Sequence, residues 1–375
     1  MSASYIPIKI RFQLWAVSGG RCEYEGCNQP LWYDLVTKNH LTTAYIAHII
    51  ADKPDGPRGD PVLSKELGAR FSNLMLLCDT HHRLIDTADV AGHPVRRLTG
   101  MKKRHETRIS LQTSLGEDKQ SHVLHYGANI DRLNSSISWK TSYEAMAPDW
   151  YPAEANAIEI GLNNSPFQDA TDEFWKIEKE NLRLQFDRKV QTRLGQDINH
   201  LSVFALAPQP LLIELGRLVS DILPVAVYQH QREPEDSWKW VEDTPSSNYM
   251  VIPPSSESQI VALNLSLSAT IVSERITRVL GNDTAIWTIT INERNNDFLK
   301  SRDQLIAFRK CLRKVLDQIK TRHNLIDYLH LFPAVPVAFA VEIGRVWMPK
   351  ADLPLRVYDQ NNKLGGFRHA LDIRN

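Results

Sequence analysis

Four residues of this chain have the side chains and the spacing of a structural zinc site. They form two short-spaced pairs, Cys22 with Cys27 and Cys78 with His81. Zinc takes four such ligands in a tetrahedron, and one tight turn can present each pair. Zinc binding also supplies about 10 kcal/mol or more of folding free energy in small modules. We therefore predict a structural zinc ion here, and the isolated fourth cysteine, Cys311, favours metal over disulfides.

A second group of residues could hydrolyse a phosphodiester. That reaction needs a base for water and a hard divalent cation that stabilises charge on the phosphate. His48 lies in a strand-like stretch, and an imidazole titrates near neutrality. His82 and Asp86 are four residues apart on a predicted helix, so both can reach one ion, with Asp52 as a weaker candidate. Asn73 can bond backbone groups and hold His48 in place.

Basic residues follow this second group. The chain as a whole is balanced, with 44 Lys and Arg against 44 Asp and Glu, so bulk charge does not attract it to nucleic acid. The local excess of basic side chains beside the second group lies where a DNA phosphate backbone would need positive charge. We expect duplex DNA to dock there mainly through its phosphates. The predicted DNA-binding residues are Arg97, Lys102, Lys103 and Arg104.

Short elements surround these residues in the first 110 positions. The patterns predict a helix over 10–17, a strand over 44–50, and a strand over 74–77 that leads into the helix bearing His81, His82 and Asp86. A polar segment over 111–122 that contains glycine is predicted to be a linker. The first domain is therefore predicted over 1–110, and the second over 123–375.

Strands alternate with helices beyond the linker, which indicates parallel sheets with helices on their faces. The predicted strands are 201–206, 225–228, 260–267, 284–291, 336–341 and 354–358, and the predicted helices are 172–186, 210–222 and 301–322. These strands and helices fall into two successive series, which suggests an internally duplicated α/β domain, although the two series show no residue-by-residue sequence repeat. The Pro- and Ser-rich segment 248–258 is the predicted join.

The first domain resembles the HNH endonucleases, which have a zinc-stabilised ββα-metal fold. The resemblance rests on Cys22, Cys27, Ala47-His48-Ile49, Asn73-Leu74 and Leu77-Cys78-x-x-His81-His82. It implies that His48 is the general base, that Asn73 is structural or near the metal, and that His82 binds the catalytic ion. Ala47 stands where many members have a metal ligand, so Asp86 is the expected substitute. His81 stands where many members have a zinc-binding cysteine.

The second domain resembles the SAVED domain, a sensor of cyclic oligonucleotides made of two CARF-like, Rossmann-like halves. The resemblance rests on Ser266-Leu267-Ser268, His330-Leu331-Phe332-Pro333-Ala334-Val335-Pro336 and Val341-Glu342-Ile343-Gly344-Arg345. The two domains together resemble the HNH-SAVED effector nucleases of bacterial CBASS anti-phage defence. This implies that a cyclic di- or trinucleotide from a partner nucleotidyltransferase drives homo-oligomerisation, after which the HNH domains degrade double-stranded DNA.

Seven residues are predicted to contact the cyclic nucleotide. Ligands of open α/β sheets bind beyond the carboxyl ends of strands, where Ser266 and Ser268 are expected. Aromatic and basic side chains can stack on bases and pair with phosphates. The predicted residues of that kind are Arg345, Trp347, Lys350, Phe332 and Tyr126.

The predicted setting is the cytoplasm, because the first residues lack an export pattern and no apolar run is long enough for a membrane span. The resemblance to CBASS effectors implies that this is a bacterial cytoplasm. The predicted cofactors are structural Zn²⁺ and a catalytic Mg²⁺, with Mn²⁺ or Ni²⁺ tolerated by histidine ligation. Two alternatives remain open. The chain could be a stand-alone restriction enzyme that reads modified bases, or the first domain could be a zinc-stabilised DNA-binding module that has lost catalysis, as Ala47 permits.

Overall fold

The computed structural model describes residues 5–34, 36–130, 137–162, 169, 171–233, 235–241, 244, 247–361 and 365–374. They belong to two compact units, the N-terminal unit Met1–Gly116 and the C-terminal unit Glu117–Asn375. None of the helices within the described ranges is both long enough and apolar enough to cross a bilayer.

The N-terminal unit is built on a two-stranded antiparallel sheet. Its helices and strands are α1 (Ile8–Val17), β1 (Ala44–His48), α2 (Leu63–Leu67), β2 (Leu74–Cys78), α3 (Asp79–Arg83) and α4 (Val95–Thr113). His48 at the end of β1 lies opposite Leu74 at the start of β2. Every residue of β2 is buried, so this strand is the centre of the unit, and a π-helical turn, Leu84–Ala88, continues α3.

The C-terminal unit contains two sheets with helices between their strands. Its helices are α5 (Trp139–Met146), α6 (Asp172–Lys189), α7 (Gln209–Val219), α8 (Ser273–Leu280), α9 (Arg302–Arg322) and α10 (Val337–Val346). Its strands are β3 (Gln120–Gly127), β4 (Tyr151–Pro152), β5 (Ile158–Gly161), β6 (Leu201–Leu206), β7 (Val225–Val227), β8 (Met250–Ile252), β9 (Val261–Ser266), β10 (Ala285–Thr290), β11 (Leu329–Ala334), β12 (Leu355–Asn361) and β13 (Gly366–Ile373).

The two sheets are mainly parallel, as the alternation of strands and helices predicts. The first has the order β4-β3-β6-β7, with β5 also on β3, and all of its strands are parallel. The second has the order β13-β12-β11-β9-β10-β8 and is antiparallel only at its two edges. The mixed α/β architecture is therefore as expected.

The predicted linker at 111–122 needs correction at both ends. Helix α4 continues to Thr113, and β3 begins at Gln120. Polar composition misled the prediction because Ser121 is buried in the sheet, where its hydroxyl pairs with Ser202 at 2.8 Å. A polar residue that finds such a partner is compatible with a buried strand.

The predicted strand at 336–341 is wrong, because this segment forms helix α10, and the neighbouring strand β11 was not predicted. Every residue of α10 from Ala338 to Val346 is buried. A helix buried on all sides has no polar face, so its sequence lacks the helical alternation of apolar and polar residues. Pro336 immediately before the helix suits its first turn, where no backbone donor is required.

The fold also reveals a repeat that the sequence analysis did not find. Helix α7 follows β6, α10 follows β11, and a proline stands before each helix. Ile213-Glu214-Leu215-Gly216-Arg217 in α7 corresponds to Val341-Glu342-Ile343-Gly344-Arg345 in α10. Each glutamate pairs with the arginine three residues later, at 2.7 Å in α7 and 2.6 Å in α10.

Candidate metal centre and ligand cavity

Two cysteine and histidine pairs form one cluster in the N-terminal unit. The donor atoms of Cys22, Cys27, Cys78 and His81 all lie within 4.8 Å of one another. Nδ1 of His81 is 3.1 Å from Sγ of Cys78 and 3.6 Å from Sγ of Cys22. Tetrahedral zinc with Zn–S near 2.3 Å and Zn–N near 2.05 Å sets sulfur and nitrogen about 3.6 Å apart. The four residues therefore fit a zinc ion.

The surroundings of the cluster also suit a metal. The ring of Tyr24 stacks on His81 with centroids 4.0 Å apart, which fixes the imidazole plane. Burial lowers the pKa of His81, and His93 adds to this effect. A neutral imidazole is the form that ligates metal. Burial raises the pKa of Cys22, and a zinc ion would supply the charge that a buried thiolate needs.

His48 is held in a defined tautomer. Its ring is nearly buried, at 9% exposure, and Nε2 lies 2.8 Å from the carbonyl oxygen of Gly68. Since a carbonyl only accepts, Nε2 carries the proton and Nδ1 keeps a lone pair. Nδ1 is therefore the atom of His48 that could accept a proton.

Asn73 closes the loop between the two strands. Its Oδ1 accepts from the backbone N–H of Ile50 at 2.8 Å, and its Nδ2 donates to the carbonyl oxygen of Ile50 at 2.8 Å. Nδ2 also lies 3.3 Å from the carbonyl oxygen of Leu67. This side chain fixes the backbone just beyond His48, in the manner that the sequence predicts for it.

His82 and Asp86 meet on one face of the helical turn after β2. Nε2 of His82 is 3.3 Å from Oδ2 of Asp86, and Tyr45 of β1 stacks on His82 with centroids 4.7 Å apart. Two ligands each about 2.1 Å from an ion, at an angle of about 100°, would have this separation. Burial raises the pKa of Asp86, but hydrogen bonds from His82 and Arg58 outweigh it, and the net shift is downward. Asp52, the weaker candidate, is partly buried in the loop after β1.

The predicted DNA-binding residues are largely engaged within the unit. Lys102 is a correction, because its side chain is buried and pairs with Glu106 at 2.5 Å, so it cannot reach a phosphate. Arg97 and Arg104 are exposed but share Glu25, at 2.6 Å and 3.0 Å. Lys103 is exposed on α4, so its ammonium group is accessible to solvent.

Four of the predicted nucleotide-binding residues are buried in the core, which corrects their assignment. Tyr126 and Phe332 are fully buried, and Phe332 stacks on Tyr358 with centroids 4.4 Å apart. Trp347 is buried and donates from Nε1 to the carbonyl oxygen of Leu353 at 2.9 Å. Arg345 is buried and donates to Glu342. These side chains stabilise the fold and have no surface to offer a ligand.

The other three predicted nucleotide-binding residues have different positions relative to the cavity. Ser266 is buried, and its hydroxyl donates to Asn264 and accepts from the N–H of Ile271, both at 2.9 Å, so it is also a correction. Lys350 is exposed in a turn after α10 and is not among the residues that line the cavity described next. Ser268 does line that cavity.

One cavity of the C-terminal unit has a volume of about 390 Å³. It lies beyond the carboxyl ends of parallel strands of both sheets, and the first residues of α7 and α10 form part of its wall. Parallel α/β sheets bind ligands at this position, and helix N-termini favour negative charge. The lining residues include Gln209, Gln229, His230, Arg232, Ser268, Asn296, Asp297, Val337, Asp359 and Gln360.

The polar groups of the cavity are of two kinds. Arg232 is an exposed cation on the lining and suits a phosphate. Asp297 and Asp359 are carboxyl groups, and the carboxylate of Asp297 suits the N–H donors of a base. Desolvation and the nearby Asp169 raise the pKa of Asp359 to about 7. These residues were not predicted from the sequence. The proline that precedes each of α7 and α10, shortly after a buried strand, is a signal for two of the strand ends at the cavity.

Comparisons with known proteins address the C-terminal unit. Residues 182–373 match the family model of the SAVED domain, described as the SMODS-associated and fused to various effectors sensor domain. The match covers just over half of the chain, and no curated protein sequence matches.

Solved structures that resemble the chain include SAVED/CARF-domain containing receptors. The Acinetobacter baumannii Cap4 receptor with 2'3'3'-cAAA has 11% identity and a TM-score of 0.41, over 83% of this chain and 61% of that one. The same receptor with 3'3'3'-cAAA has 11% identity and a TM-score of 0.42, over 79% of this chain and 66% of that one. The Moraxella osloensis Cap4 receptor has 9% identity and a TM-score of 0.37, over 83% of this chain and 70% of that one. The chain thus spans less than two thirds of the length of the Acinetobacter receptor in both of its ligand-bound structures.

Proposed function

The chain belongs to the SAVED sensor-domain family, and on this premise we propose that it is a cyclic-oligonucleotide-activated DNA endonuclease of bacterial CBASS anti-phage defence. The C-terminal unit would bind a cyclic di- or trinucleotide, and the N-terminal unit would cut double-stranded DNA. The arrangement that carries the proposal combines, within one unit, a tautomer-fixed His48, the Asn73 clamp, the His82–Asp86 pair and a cluster of four potential zinc ligands.

The sensor role is supported by the position and chemistry of the cavity. A cyclic nucleotide carries phosphates, which the helix N-termini and Arg232 can bind, and bases, whose N–H groups Asp297 can bind. The volume of about 390 Å³ is in the range of small-molecule sites. Binding that is tighter in an oligomer than in a monomer would shift the population to a homo-oligomer, in which nuclease units act in pairs.

The tautomer of His48 supports the proposed nuclease role. Nδ1 would take a proton from water as the water oxygen attacks phosphorus and the bond from phosphorus to the leaving deoxyribose oxygen breaks. A divalent ion, magnesium in the cell, would supply the charge that stabilises the phosphate and the leaving oxygen. His82 and Asp86 would hold that ion, and the zinc cluster would keep β2 and α3 in place. Lys103 would contact a DNA phosphate.

Plasmid cleavage tests this proposal directly. Purified protein is incubated with plasmid, Mg²⁺ and a panel of cyclic di- and trinucleotides, and degradation is measured on a gel. We expect cleavage only with a matching nucleotide. The His48→Ala variant should cut at least about 100-fold more slowly, with unchanged zinc content and nucleotide affinity, whereas a control at the exposed His40, His40→Ala, should cut normally.

Two other outcomes would support the alternatives. Cleavage of modified DNA without any nucleotide would support a stand-alone restriction enzyme. DNA binding without nicking, under every nucleotide and metal, would support a zinc-stabilised DNA-binding module. One observation favours that second candidate: Ala47 provides no metal ligand.

A further inference from the structure

Arg58 connects the two halves of the candidate nuclease site. Its Nε donates to the carbonyl oxygen of Ile49 at 2.7 Å, and its Nη2 lies 3.3 Å from the carbonyl oxygen of His48. Its Nη1 donates to the carbonyl oxygen of Ile85 at 2.6 Å, and its Nη2 donates to Oδ1 of Asp86 at 2.6 Å. One guanidinium thus joins the strand that carries the base to the helical turn that carries the carboxylate.

The loop around Arg58 is shaped to present this side chain. Arg58 has a φ of 55°, a conformation that costs energy for a residue with a Cβ and persists only where the surroundings enforce it. The next residue is Gly59, where a Cβ would lie 2.4 Å from the carbonyl oxygen of Pro54. The Arg58 side chain is only 6% exposed, so its charge is balanced by the groups that it contacts.

The two oxygens of Asp86 have different partners. Oδ1 is held by Arg58 at 2.6 Å, whereas Oδ2 points to Nε2 of His82 at 3.3 Å. Hydrogen bonds to the outer atoms of a metal ligand orient it and tune its affinity. This matters more here than in a site with three protein ligands, because Ala47 contributes none.

We propose that Arg58 is a positioning residue for the catalytic ion. It fixes Asp86 so that Oδ2 of Asp86 and the ring of His82 bind the same divalent cation. Through its contact with the His48 carbonyl oxygen, it also holds these two ligands in place relative to the backbone of His48. The proposal rests on the proposed function for its biological role, but the ion-ordering step can be measured by itself. A lysine cannot replace Arg58, because an ammonium lacks the planar fork that reaches carbonyls and a carboxylate together.

Mn²⁺ binding to the full-length, zinc-loaded protein tests the proposal. The dissociation constant is measured by titration calorimetry and by the electron paramagnetic resonance of free Mn²⁺. We expect Arg58→Lys to weaken Mn²⁺ binding by about 10- to 100-fold, with zinc content unchanged. The matched control is Arg11→Lys, since Arg11 also donates to a backbone carbonyl, that of Ile6, in the same unit. It should bind Mn²⁺ as the wild type does.

A second variant separates positioning from folding. Asp86→Asn retains the bonds of Arg58 to three carbonyls and should also weaken Mn²⁺ binding. If Arg58 acts through Asp86, the double variant should bind no more weakly than Asp86→Asn alone. If Arg58→Lys does not fold, wild-type affinity in Asp86→Asn overturns the proposal.

The remaining outcomes are distinct. Wild-type Mn²⁺ affinity in Arg58→Lys, with only a lower melting temperature, would reduce Arg58 to a structural residue and overturn the proposal. Failure of the wild type to bind Mn²⁺ would overturn it as well. If Mn²⁺ binding depends on Arg58 as expected, but no cyclic nucleotide elicits cleavage, then the proposed nuclease function fails and the role of Arg58 in ordering the ion stands.

Discussion

Gly216 of α7 and Gly344 of α10 face each other where the two helices cross. A Cβ on Gly216 would lie 1.9 Å from the carbonyl oxygen of Val341, and one on Gly344 would lie 1.9 Å from the carbonyl oxygen of Ile213. The two helices are the equivalent elements of the duplicated C-terminal unit, so the repeated glycine permits the repeated elements to touch backbone to backbone. Each helix begins at the wall of the ligand cavity, and this crossing therefore helps to shape it.

Alanine at either glycine should destabilise the C-terminal unit. Because the added methyl group would overlap backbone rather than a movable side chain, we expect Gly216→Ala and Gly344→Ala each to lower the free energy of unfolding by about 3 kcal/mol or more. Chemical denaturation followed by circular dichroism measures the effect. Gly100→Ala in α4 is the control, since its Cβ would meet only the end of the Arg104 side chain, at 3.2 Å. Wild-type stability in both test variants would contradict the close crossing.

Removal of one zinc ligand should unfold the N-terminal unit. Cys78→Ser replaces a donor of the four-residue cluster, and we expect bound zinc to fall from one equivalent to none, with loss of folding free energy on the order of 10 kcal/mol. Metal analysis and thermal denaturation measure both effects. Cys311→Ser is the matched control, because Cys311 is a partly buried thiol in the other unit. A protein that melts identically with Cys78→Ser would argue against a structural metal.

Substitution of the adjacent residues Lys102 and Lys103 of α4 should have different effects on stability and on DNA affinity. Lys102 is buried, pairs with Glu106 and lies near Glu23, whose pKa burial raises to about 7. Lys102→Ala leaves these carboxyls without their cation and should cost about 3 kcal/mol of stability. Lys103→Ala should leave stability unchanged but reduce the slope of log affinity for DNA against log salt by about 0.9. Equal effects of the two variants on stability would contradict this assignment.

Nucleotide binding should weaken as the pH rises through 7. The pKa of Asp359 is raised to about 7 by desolvation and Asp169, so this carboxyl is mostly neutral at pH 6 and ionised at pH 8. An added negative charge near a phosphate costs roughly 1 to 2 kcal/mol at the dielectric of a protein surface. We therefore expect about tenfold weaker binding at pH 8 than at pH 6.

Two variants isolate the contribution of Asp359 from the other charged residues around the cavity, which are Asp169, His230, Arg232 and Asp297. Asp359→Asn should remove most of the pH dependence, whereas Asp297→Asn should keep it. Calorimetric titration at several pH values gives the comparison. A steep pH dependence that persists in Asp359→Asn would assign the effect to another group, such as His230.

Local patterns in the chain were enough to predict the mixed α/β class, the alternation of strands and helices, and the residues of the metal cluster. Cys22, Cys27, Cys78 and His81 could be grouped because zinc ligands come in short-spaced pairs, whose spacing is visible in one dimension. The role of Asn73 was also predictable, since an asparagine at a strand entry bonds nearby backbone. Periodicity failed where an element is buried on all sides, as in α10, and it also missed short or edge elements such as α8 and β13.

Burial and long-range pairing were decided by the tertiary structure. Lys102, Tyr126, Phe332 and Arg345 have side chains that could bind ligands, and only the packing of distant segments shows that they are inside. The same holds for Arg58, whose partners lie up to 28 residues away, and for the cavity, whose wall is gathered from many separate strand ends. The physical reason is that a side chain's chemistry depends on its solvation and its neighbours, and both are set by contacts between residues far apart in the chain.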